Sequence, residues 1–513
     1  MSFCVPAGPC SFFLLPLAVM GPALALTGWV GGSLSAITVG FGAVLLGVGV
    51  DYGLHLYFAL RAADQSAAKT VARLAGPLLG AGLTTVGAFA VQLFSSLPGQ
   101  RQLALFAGVG VLLALLLALL VLPHFLGSGS PMPAPPVAAP VASGRVRDRR
   151  LLFAWVLGLG LLAGPAGRID CVGDLREVNL VPADLRRAEA ELREVWGDLR
   201  GRALAFARGL DLEAALTANE RLYERLRREF SAAEIVSLAP VLPGLEAQRE
   251  NRRRWRTFWS PERLAGLHRE LARLGAEFGF AADAFQPFFT ALTQAPPPLT
   301  REFWARAGFS DLLEVLLAEG PDQVTLLSLV PDRPGLPALI PEAGPASALY
   351  LVSPQAFSAE VSAVIAADLK RFIGLALLSV GLILLLLLRH LGQALLALLP
   401  VLAGLLTMFG GMGALGLSFN LFNLVAVILL IGLGVDYGIF MVYRLYHGRR
   451  ASTERAVLVS GLTTLAGFGV LVLARHPALH SIGLTVLLGV GGALPTVLWV
   501  LPALQRRLAA ARS

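Results

Sequence analysis

Charged residues are scarce in this sequence. They make up 15% of its 513 residues, whereas hydrophobic residues make up 56% and the mean hydropathy is +0.69. Soluble globular domains average about 25% charged residues. The shortage of charge therefore excludes an ordinary soluble protein and indicates long segments that lie in the apolar interior of a membrane.

Cysteine is scarcer still, and its spacing gives no basis for a metal site or a set of disulfides. The three residues are Cys4, Cys10 and Cys171. The polar middle of the chain has a single histidine, His268, and it lacks a nucleophile elbow, a metal-ligand cluster and a phosphate loop. We therefore expect no enzyme activity, no metal and no organic cofactor.

Long apolar runs are what the sequence has in abundance. A helix needs roughly 20 apolar residues to cross a bilayer. Ten segments meet this requirement, and they cover about residues 11–30, 36–60, 74–95, 102–126, 150–167, 371–389, 392–413, 420–445, 454–474 and 480–503.

Four basic clusters flank these spans and orient them. They are Arg61, Lys69 and Arg73; Arg145, Arg147, Arg149 and Arg150; Arg444, Arg449, Arg450 and Arg455; and Arg506, Arg507 and Arg512. An alternating path places all four on one side, which is the cytoplasm by the positive-inside rule. Because these clusters explain the net charge of +8, we expect no binding to nucleic acid. The chain is predicted to be a multi-pass protein of the bacterial inner (plasma) membrane.

The polar residues concentrate in one block, which predicts a second kind of domain. Amphipathic helix patterns and the strand-like runs DQVTLLSLV and ASALYLVS predict one periplasmic α+β domain. The predicted fold is a polytopic α-helical membrane protein with about ten spans and this one extracytoplasmic domain. Its predicted parts are four spans in 1–126, a Pro/Ala-rich cytoplasmic linker at 127–149, a span at 150–167, the α+β domain at 168–370, five spans in 371–505 and a cytoplasmic tail at 506–513.

The two halves of the membrane region repeat each other. The string GVDYG occurs at 49–53 and 434–438, GLTT occurs at 82–85 and 461–464, and Leu-Pro pairs follow each copy in register. Both copies have the same orientation relative to the basic clusters. This predicts a parallel repeat whose axis lies along the membrane normal, as in several transporters.

The repeat also shows an imbalance. A span, a large domain and another span precede the matched helices of the second copy, whereas the first copy begins directly at its matched helices. We expect that the chain is truncated at its N-terminus, has a mis-assigned start or belongs to a split gene. A separately encoded N-terminal part, or a second copy of the chain, is then a candidate partner.

The paired GVDYG strings and the GLTT helices resemble those of the RND superfamily, and most closely its MMPL branch, which includes hopanoid-exporter-like proteins. The resemblance covers essentially the whole chain. It implies twelve spans, two porter-like extracytoplasmic domains and proton-driven export of lipids or other hydrophobic molecules. The implied coupling ion is the proton, and the implied partners are the membrane and a lipid or hydrophobic small molecule.

Each GVDYG string places an acid inside an apolar run, at Asp51 and Asp436. A charged Asp at the centre of a bilayer costs about 2.5–3.5 kcal/mol on insertion scales, so such residues usually face the bundle interior and have a function. Burial favours the neutral acid, which allows the group to load and release a proton. The pair is predicted to be a proton relay, and the alternative is a structural polar clamp between the halves.

A tyrosine follows each acid, at Tyr52 and Tyr437. Adjacent residues on a helix diverge by about 100°, so each acid is poorly placed to bond its own neighbour. The resemblance implies a crossed pairing, in which Asp51 meets Tyr437 and Tyr52 meets Asp436.

Three further sets of residues accompany the acids. The glycines are predicted to let the two Asp helices approach closely; they are Gly49, Gly53, Gly434 and Gly438. The threonines either bond back to their own helix or support the relay; they are Thr84, Thr85, Thr463 and Thr464. His55 lies one turn beyond Asp51, but its counterpart is Phe440, which favours a polar residue at the cytoplasmic end of the helix over a proton carrier.

Two other functions fit the same features. The chain could be a non-transporting sensor or scaffold, because sterol-sensing membrane proteins share this helix arrangement. It could also be an accessory to protein translocation, as in the secretion branch of the superfamily.

Overall fold

A computed structural model gives the fold of this protein. It describes residues 14–32, 49–61, 67–126, 145–173, 180–196, 201–294, 297–340, 348–447 and 452–510. The chain divides into two compact units. The membrane unit comprises residues Met1–Val181 and Ala359–Ser513, and the sheet unit comprises Pro182–Ser358.

The first half of the membrane unit is a series of apolar helices. They are α1 (Leu14–Gly31), α2 (Gly49–Arg61), α3 (Ala67–Ala90), α4 (Pro98–Leu120) and α5 (Leu122–Leu126). Pro98 lies in the first turn of α4, where a helix makes no use of the missing N–H. The helix α6 (Arg145–Ala166) follows.

The sheet unit is built around a four-stranded antiparallel sheet in the order β2-β3-β1-β4. Its strands are β1 (Arg202–Gly209), β2 (Leu317–Glu319), β3 (Val324–Pro331) and β4 (Leu349–Val352). Its helices are α7 (Ala183–Trp196), α8 (Leu212–Leu226), α9 (Leu245–Phe258), α10 (Pro261–Glu277), α11 (Gln286–Thr293), α12 (Arg301–Arg306), α13 (Ser310–Leu316) and α14 (Leu336–Leu339). Alternate residues of β1 are buried and pack in one core with the apolar face of α8.

The second half of the membrane unit continues the helical bundle. Its helices are α15 (Pro354–Leu388), α16 (Leu391–Ala414), α17 (Leu421–His447), α18 (Ser452–Val472), α19 (Pro477–Pro495) and α20 (Leu501–Ala510), with a π-helical turn at Thr496–Val500. In sequence order, α17 and α18 correspond to α2 and α3, because they carry the second GVDYG and GLTT strings.

Eight helices among the described residues are long and apolar enough to cross a membrane. They are Ala68–Phe94, Pro98–Leu120, Val146–Ala166, Pro354–Leu388, Leu391–Ala414, Leu421–Tyr446, Ser452–Val472 and Pro477–Ala510. Each corresponds to a predicted span. The first predicted span corresponds to the shorter apolar helix Leu15–Gly31, and the predicted span 36–60 is described only from Gly49. The chain is a polytopic helical membrane protein.

Several helix boundaries differ from the predicted ones. The helix α15 begins at Pro354 and not near 371, because its first turns carry polar residues that a search for apolar runs passes over. The helix α6 begins at Arg145, so the end of the predicted 127–149 linker is helical. The predicted tail at 506–513 is also helical as far as Ala510.

The helix α17 is the centre of the membrane unit. Its most apolar stretch is entirely enclosed by other helices, whereas no residue in the corresponding stretch of α6 is fully buried. A helix that is apolar on all sides is stable only when it is surrounded, and the sequence of α17 is apolar on all sides apart from its GVDYG string and its ends. Whatever Asp436 contacts must therefore come from neighbouring helices.

The two halves pack in a crossed manner. The Asp-bearing helix α17 packs along α3, and the Asp-bearing helix α2 packs along α18. Each acid therefore lies on a helix that faces the GLTT helix of the other half. This packing is what brings residues separated by about 350 positions in the sequence into one site.

An ion pair joins α6 to α20 on the side of the membrane unit where the four basic clusters are predicted to lie, which is called the arginine-rich side below. Arg506 donates two hydrogen bonds to the Asp148 carboxylate, from Nε at 3.0 Å and from Nη2 at 2.9 Å. Only 11% of the Asp148 side chain is exposed. Loss of the guanidinium leaves that carboxylate without a partner in a poorly hydrated position.

We predict that Arg506→Gln lowers the free energy of unfolding by about 1–3 kcal/mol, the usual cost of an unpaired buried polar group. The measurement is the melting temperature of the purified protein in detergent. Arg150→Gln is the control, because Arg150 is an exposed arginine on the same helix as Asp148. Equal melting temperatures for the two variants would contradict the prediction.

Candidate functional site

Asp436 lies in the middle of the buried helix α17. It is 4% exposed, and its carboxylate accepts a hydrogen bond from the Thr85 hydroxyl, which lies 3.3 Å from both carboxylate oxygens. Thr85 belongs to the GLTT string of α3, in the other half of the repeat. The contact therefore joins the two halves through one acid and one hydroxyl.

Gly432 makes room for this contact. It lies one turn before Asp436 on α17, and a Cβ added at Gly432 would come within 3.1 Å of both Oγ1 and Cγ2 of Thr85. Small residues let membrane helices approach closely enough for short side chains to bond across the interface. Gly432 thus allows the short threonine side chain to reach the carboxylate.

Asp51 occupies the equivalent position on α2 and is 7% exposed. The hydroxyl of Ser460, on α18, interacts with this carboxylate but lies outside direct hydrogen-bond geometry. Asp51 Oδ2 and Ser460 Oγ are consequently buried without a hydrogen-bond partner. The two acids are close enough to interact electrostatically, yet only Asp436 has a donor in place.

The two tyrosines are both about 1% exposed, but they do not donate to the acids. Tyr437 donates to Thr464 Oγ1 at 3.4 Å, and the Tyr52 hydroxyl has no hydrogen-bond partner.

The crossed Asp–Tyr hydrogen bonds that the resemblance implies are therefore not formed in this packing. The reason is that threonines take the positions nearest the polar groups: Thr85 donates to Asp436, and Thr464 accepts from Tyr437. The hydrogen bond that joins the two halves is the one between Thr85 and Asp436.

The four threonines divide into two kinds. Thr84 bonds back to its own helix, at Gly80 O (3.0 Å) and Ala81 O (2.8 Å), and Thr463 bonds back to Ser460 O at 2.8 Å. Such bonds satisfy a hydroxyl locally and require no partner helix. The second threonine of each GLTT string, Thr85 or Thr464, is the one that contacts the Asp-Tyr pair.

The glycines of the GVDYG strings pack against helices of their own half. A Cβ at Gly434 would approach Val401 Cγ2 at 3.1 Å, a Cβ at Gly438 would collide with the carbonyl oxygen of Ala397, and a Cβ at Gly49 would lie 2.8 Å from Ala114 Cβ. Gly53 is buried. The expectation that these glycines bring the two Asp helices together is therefore not met; Gly432 is the glycine that faces the other half.

His55 is more enclosed than its position near a helix end suggests. It is 4% exposed, and its ring stacks on that of Phe440 with the ring centroids 3.6 Å apart and the planes 13° apart. His55 follows Asp51 by four residues and Phe440 follows Asp436 by four. Equivalent residues of the two repeats therefore meet each other face to face. The expected polar residue at the helix end is instead part of the packed interior.

Sequence reasoning underrated three further residues of the site. Ser460, which aligns with Ala81, has no motif to mark it. The stacked His55 and Phe440 could have been found from the register of the repeat, since residues near a twofold axis contact their own equivalents. Among the described residues, His, Cys, Asp and Glu form no group of three or more that could hold a metal ion.

A comparison of the chain with protein-family models identifies its family. The model of the MMPL family matches residues 15–155 and 338–512, which together exceed half of the chain. The chain belongs to the MMPL family. The matched ranges contain both Asp-bearing helices and both GLTT helices.

Two curated relatives are similar to this MMPL-family chain over most of its length. The hopanoid transporter HpnN of Burkholderia multivorans is 26% identical over 523 residues, which cover 88% of this chain and 59% of the relative. HpnN of Rhodopseudomonas palustris is 26% identical over 542 residues, covering 92% of this chain and 61% of the relative. This chain thus spans about three fifths of the length of these relatives.

A solved structure shares the fold. It is that of SecDF, a translocon-associated membrane protein from Thermus thermophilus, with a TM-score of 0.53 and 15% identity. The similarity covers 98% of this chain and 59% of SecDF. It establishes the architecture of the chain and carries no further conclusion.

We predict that cysteines at positions 85 and 432 form a disulfide between the halves. A Cβ at Gly432 lies 3.5 Å from Thr85 Cβ, and disulfides join Cβ atoms about 3.5–4.5 Å apart. Thr85→Cys with Gly432→Cys is made in a chain whose native cysteines are replaced and that carries a protease site within residues 127–144. After oxidation and cleavage, the two fragments should stay together on a gel until a reductant is added.

The control pairs Thr85→Cys with Gly434→Cys, because Gly434 faces Val401 and not α3. Fragments that separate equally well with both cysteine pairs would contradict the packing of α3 on α17.

Proposed function

We propose that this chain exports a lipid or another hydrophobic molecule from the inner membrane, driven by protons that move inward through Asp51 and Asp436. The observation that carries the proposal is the pair of acids buried between the two halves, one with a hydroxyl donor and one without. The MMPL membership and the transporter relatives support a transport role.

The energetics of the site suit a proton-driven cycle. A charged Asp near the bilayer centre costs about 2.5–3.5 kcal/mol on insertion scales. One proton that descends about 150 mV releases roughly 3.5 kcal/mol, at about 2.3 kcal/mol per 100 mV. The two quantities are of the same size, so loading or discharging one acid is enough to change which helix packing is favoured.

The two acids have unequal surroundings. Asp436 accepts from Thr85, whereas Asp51 Oδ2 is buried without a hydrogen-bond donor. We infer that the two acids share one proton, because two charged carboxylates in this apolar interior would repel each other. Transfer of the proton to the second acid would require the Thr85 contact to change, and α3 would then repack on α17.

The substrate class in this proposal comes from the relatives. The two HpnN proteins are named hopanoid transporters, so a rigid, apolar lipid of that class is the substrate we propose. By the positive-inside rule the basic clusters favour a cytoplasmic location for the arginine-rich side, and we propose that the sheet unit lies in the periplasm.

We predict that Asp51→Asn and Asp436→Asn each abolish proton movement, because an amide cannot load a proton and release it. The measurement is acidification of vesicles that contain the purified chain, followed with a trapped pH dye. Each rate should fall by at least about tenfold, which corresponds to about 1.4 kcal/mol.

The matched control is Asp368→Asn. Asp368 is also a buried acid of a membrane helix, 7% exposed, but it is bonded to Ser95 at 2.9 Å, away from the repeat site. Wild-type proton movement that persists in both Asp51→Asn and Asp436→Asn would remove the relay and favour the structural clamp. A wild-type chain that moves no protons would favour a sensor or scaffold.

We also predict that Thr85→Val and Thr463→Val differ. Valine matches the shape of threonine but lacks the hydroxyl, so Thr85→Val removes the donor to Asp436, whereas Thr463→Val removes a bond to its own helix. A hydrogen bond to a charged group contributes about 1.5–3 kcal/mol. Vesicle acidification should therefore slow by about tenfold or more in Thr85→Val and stay near the wild-type rate in Thr463→Val. Equal rates for the two variants would exclude a role for the Thr85 contact.

A further inference from the structure

The stacked pair of His55 and Phe440 has no role in the relay described above. Both rings are almost completely buried, at 4% and 2% exposure, and their centroids are 3.6 Å apart. They occupy equivalent positions of the repeat, four residues after each acid, so the two halves differ here in a single respect: one half supplies an imidazole and the other a phenyl ring.

This pair lies between the acids and the arginine-rich side. Four residues of helix rise about 6 Å, so His55 is one turn from Asp51 and Phe440 is one turn from Asp436. One turn further along α17, Arg444 forms an ion pair with Glu454 at 2.7 Å, and these side chains are 24% and 41% exposed. The stacked rings therefore separate the buried acids from the first partly exposed ion pair on this side.

The surroundings of the stacked rings are apolar. A cluster of buried apolar residues lies along α2 before and after His55, and its members are Val50, Leu54, Leu56 and Leu122. A proton that moves inward from Asp51 to the arginine-rich side must pass the level of the stacked rings, where the imidazole is a side chain that can accept and release a proton.

We propose that His55 carries protons between the cytoplasmic side and Asp51. A neutral imidazole has one nitrogen that accepts and one N–H that donates. During inward movement the accepting nitrogen takes a proton from the neutral Asp51 carboxyl group, which becomes a carboxylate. The imidazolium then releases the proton on its other nitrogen to water on the cytoplasmic side. The ring returns to neutrality, and one positive charge has passed the level of the stacked rings.

Phe440, from the other half of the repeat, packs favourably on the imidazole in both of its charge states. The face of an aromatic ring carries negative charge density, so it attracts a cation that lies over it. A stacked phenyl ring therefore holds the neutral imidazole by packing and also tolerates the imidazolium. Because the phenyl ring covers a face of the imidazole, both ring nitrogens lie at the edge of the imidazole, outside the stack.

The single imidazole also makes the surroundings of the two acids different. His55 is on the same helix as Asp51, which is the acid without a hydroxyl donor. Under the proposed function, on which this inference rests, Asp51 is the acid that exchanges with the cytoplasmic side. Asp436, which is held by Thr85, then exchanges through Asp51.

The test replaces the imidazole while the stack is kept. His55→Phe gives the first half the residue that the second half already has, so the ring pair should remain. Proton movement in vesicles should fall by about tenfold or more. The double variant His55→Phe with Phe440→His returns an imidazole to the same level from the other helix, and it should recover a substantial part of the lost rate.

Two controls separate this inference from the function on which it rests. A separate preparation of His55→Phe that also carries cysteines at positions 85 and 432 reports, by disulfide formation, whether α3 still packs on α17. Proton movement is measured in His55→Phe with Thr85 and Gly432 intact, because the disulfide removes the hydroxyl that donates to Asp436. Asp51→Asn reports whether the relay exists at all. If Asp51→Asn blocks proton movement while His55→Phe moves protons within about twofold of wild type, the carrier role is wrong and the relay stands.

If Asp51→Asn leaves proton movement intact, the proposed function itself is wrong. A double variant that stays at the level of His55→Phe would also contradict the carrier role, because it would show that the shape of α2 was lost and not a protonatable ring.

Discussion

A carboxylate in the apolar interior of a membrane must find its partners within the protein, because lipid offers no hydrogen bonds. Two such acids, Asp51 and Asp436, set the architecture of this chain. The helix that carries Asp436 is enclosed on all sides, and its acid is bonded by a threonine from the opposite half. The crossed packing of α3 on α17 and of α2 on α18 follows from this need, since each acid is placed against the GLTT helix of the other repeat.

The two acids are equivalent in sequence but not in surroundings. Thr85 reaches Asp436 because Gly432 lets α3 come close, whereas the position that corresponds to Thr85, Thr464, accepts from Tyr437 and leaves Asp51 without a direct donor. The unequal hydroxyls, together with the imidazole that one half supplies, make the two acids chemically distinct.

Much of this architecture could be predicted from the sequence, because membrane spans and repeated strings are visible without coordinates. The eight described spans and the α+β unit were predicted. The strand β1 was not, because its buried face is made of alanines and contrasts little with the outward residues. The hydrogen-bond partners of the two acids could not be predicted from the sequence either. Which side of a glycine-rich helix faces which neighbour depends on rotations of a few tens of degrees, and small residues surround both Asp helices. For the same reason, the contact of Gly432 with Thr85 was not distinguished from those of Gly434 and Gly438.

Under the proposed function, proton movement and lipid export are one process. Lipid transfer between vesicles under an imposed proton gradient tests this coupling. Vesicles with the wild-type chain and a radiolabelled hopanoid in their membrane are mixed with acceptor vesicles, and the transferred label is counted. We expect that an acidic exterior accelerates lipid transfer and that a protonophore abolishes the acceleration. Equal transfer with the gradient intact and with the gradient collapsed would show that lipid export is not coupled to protons.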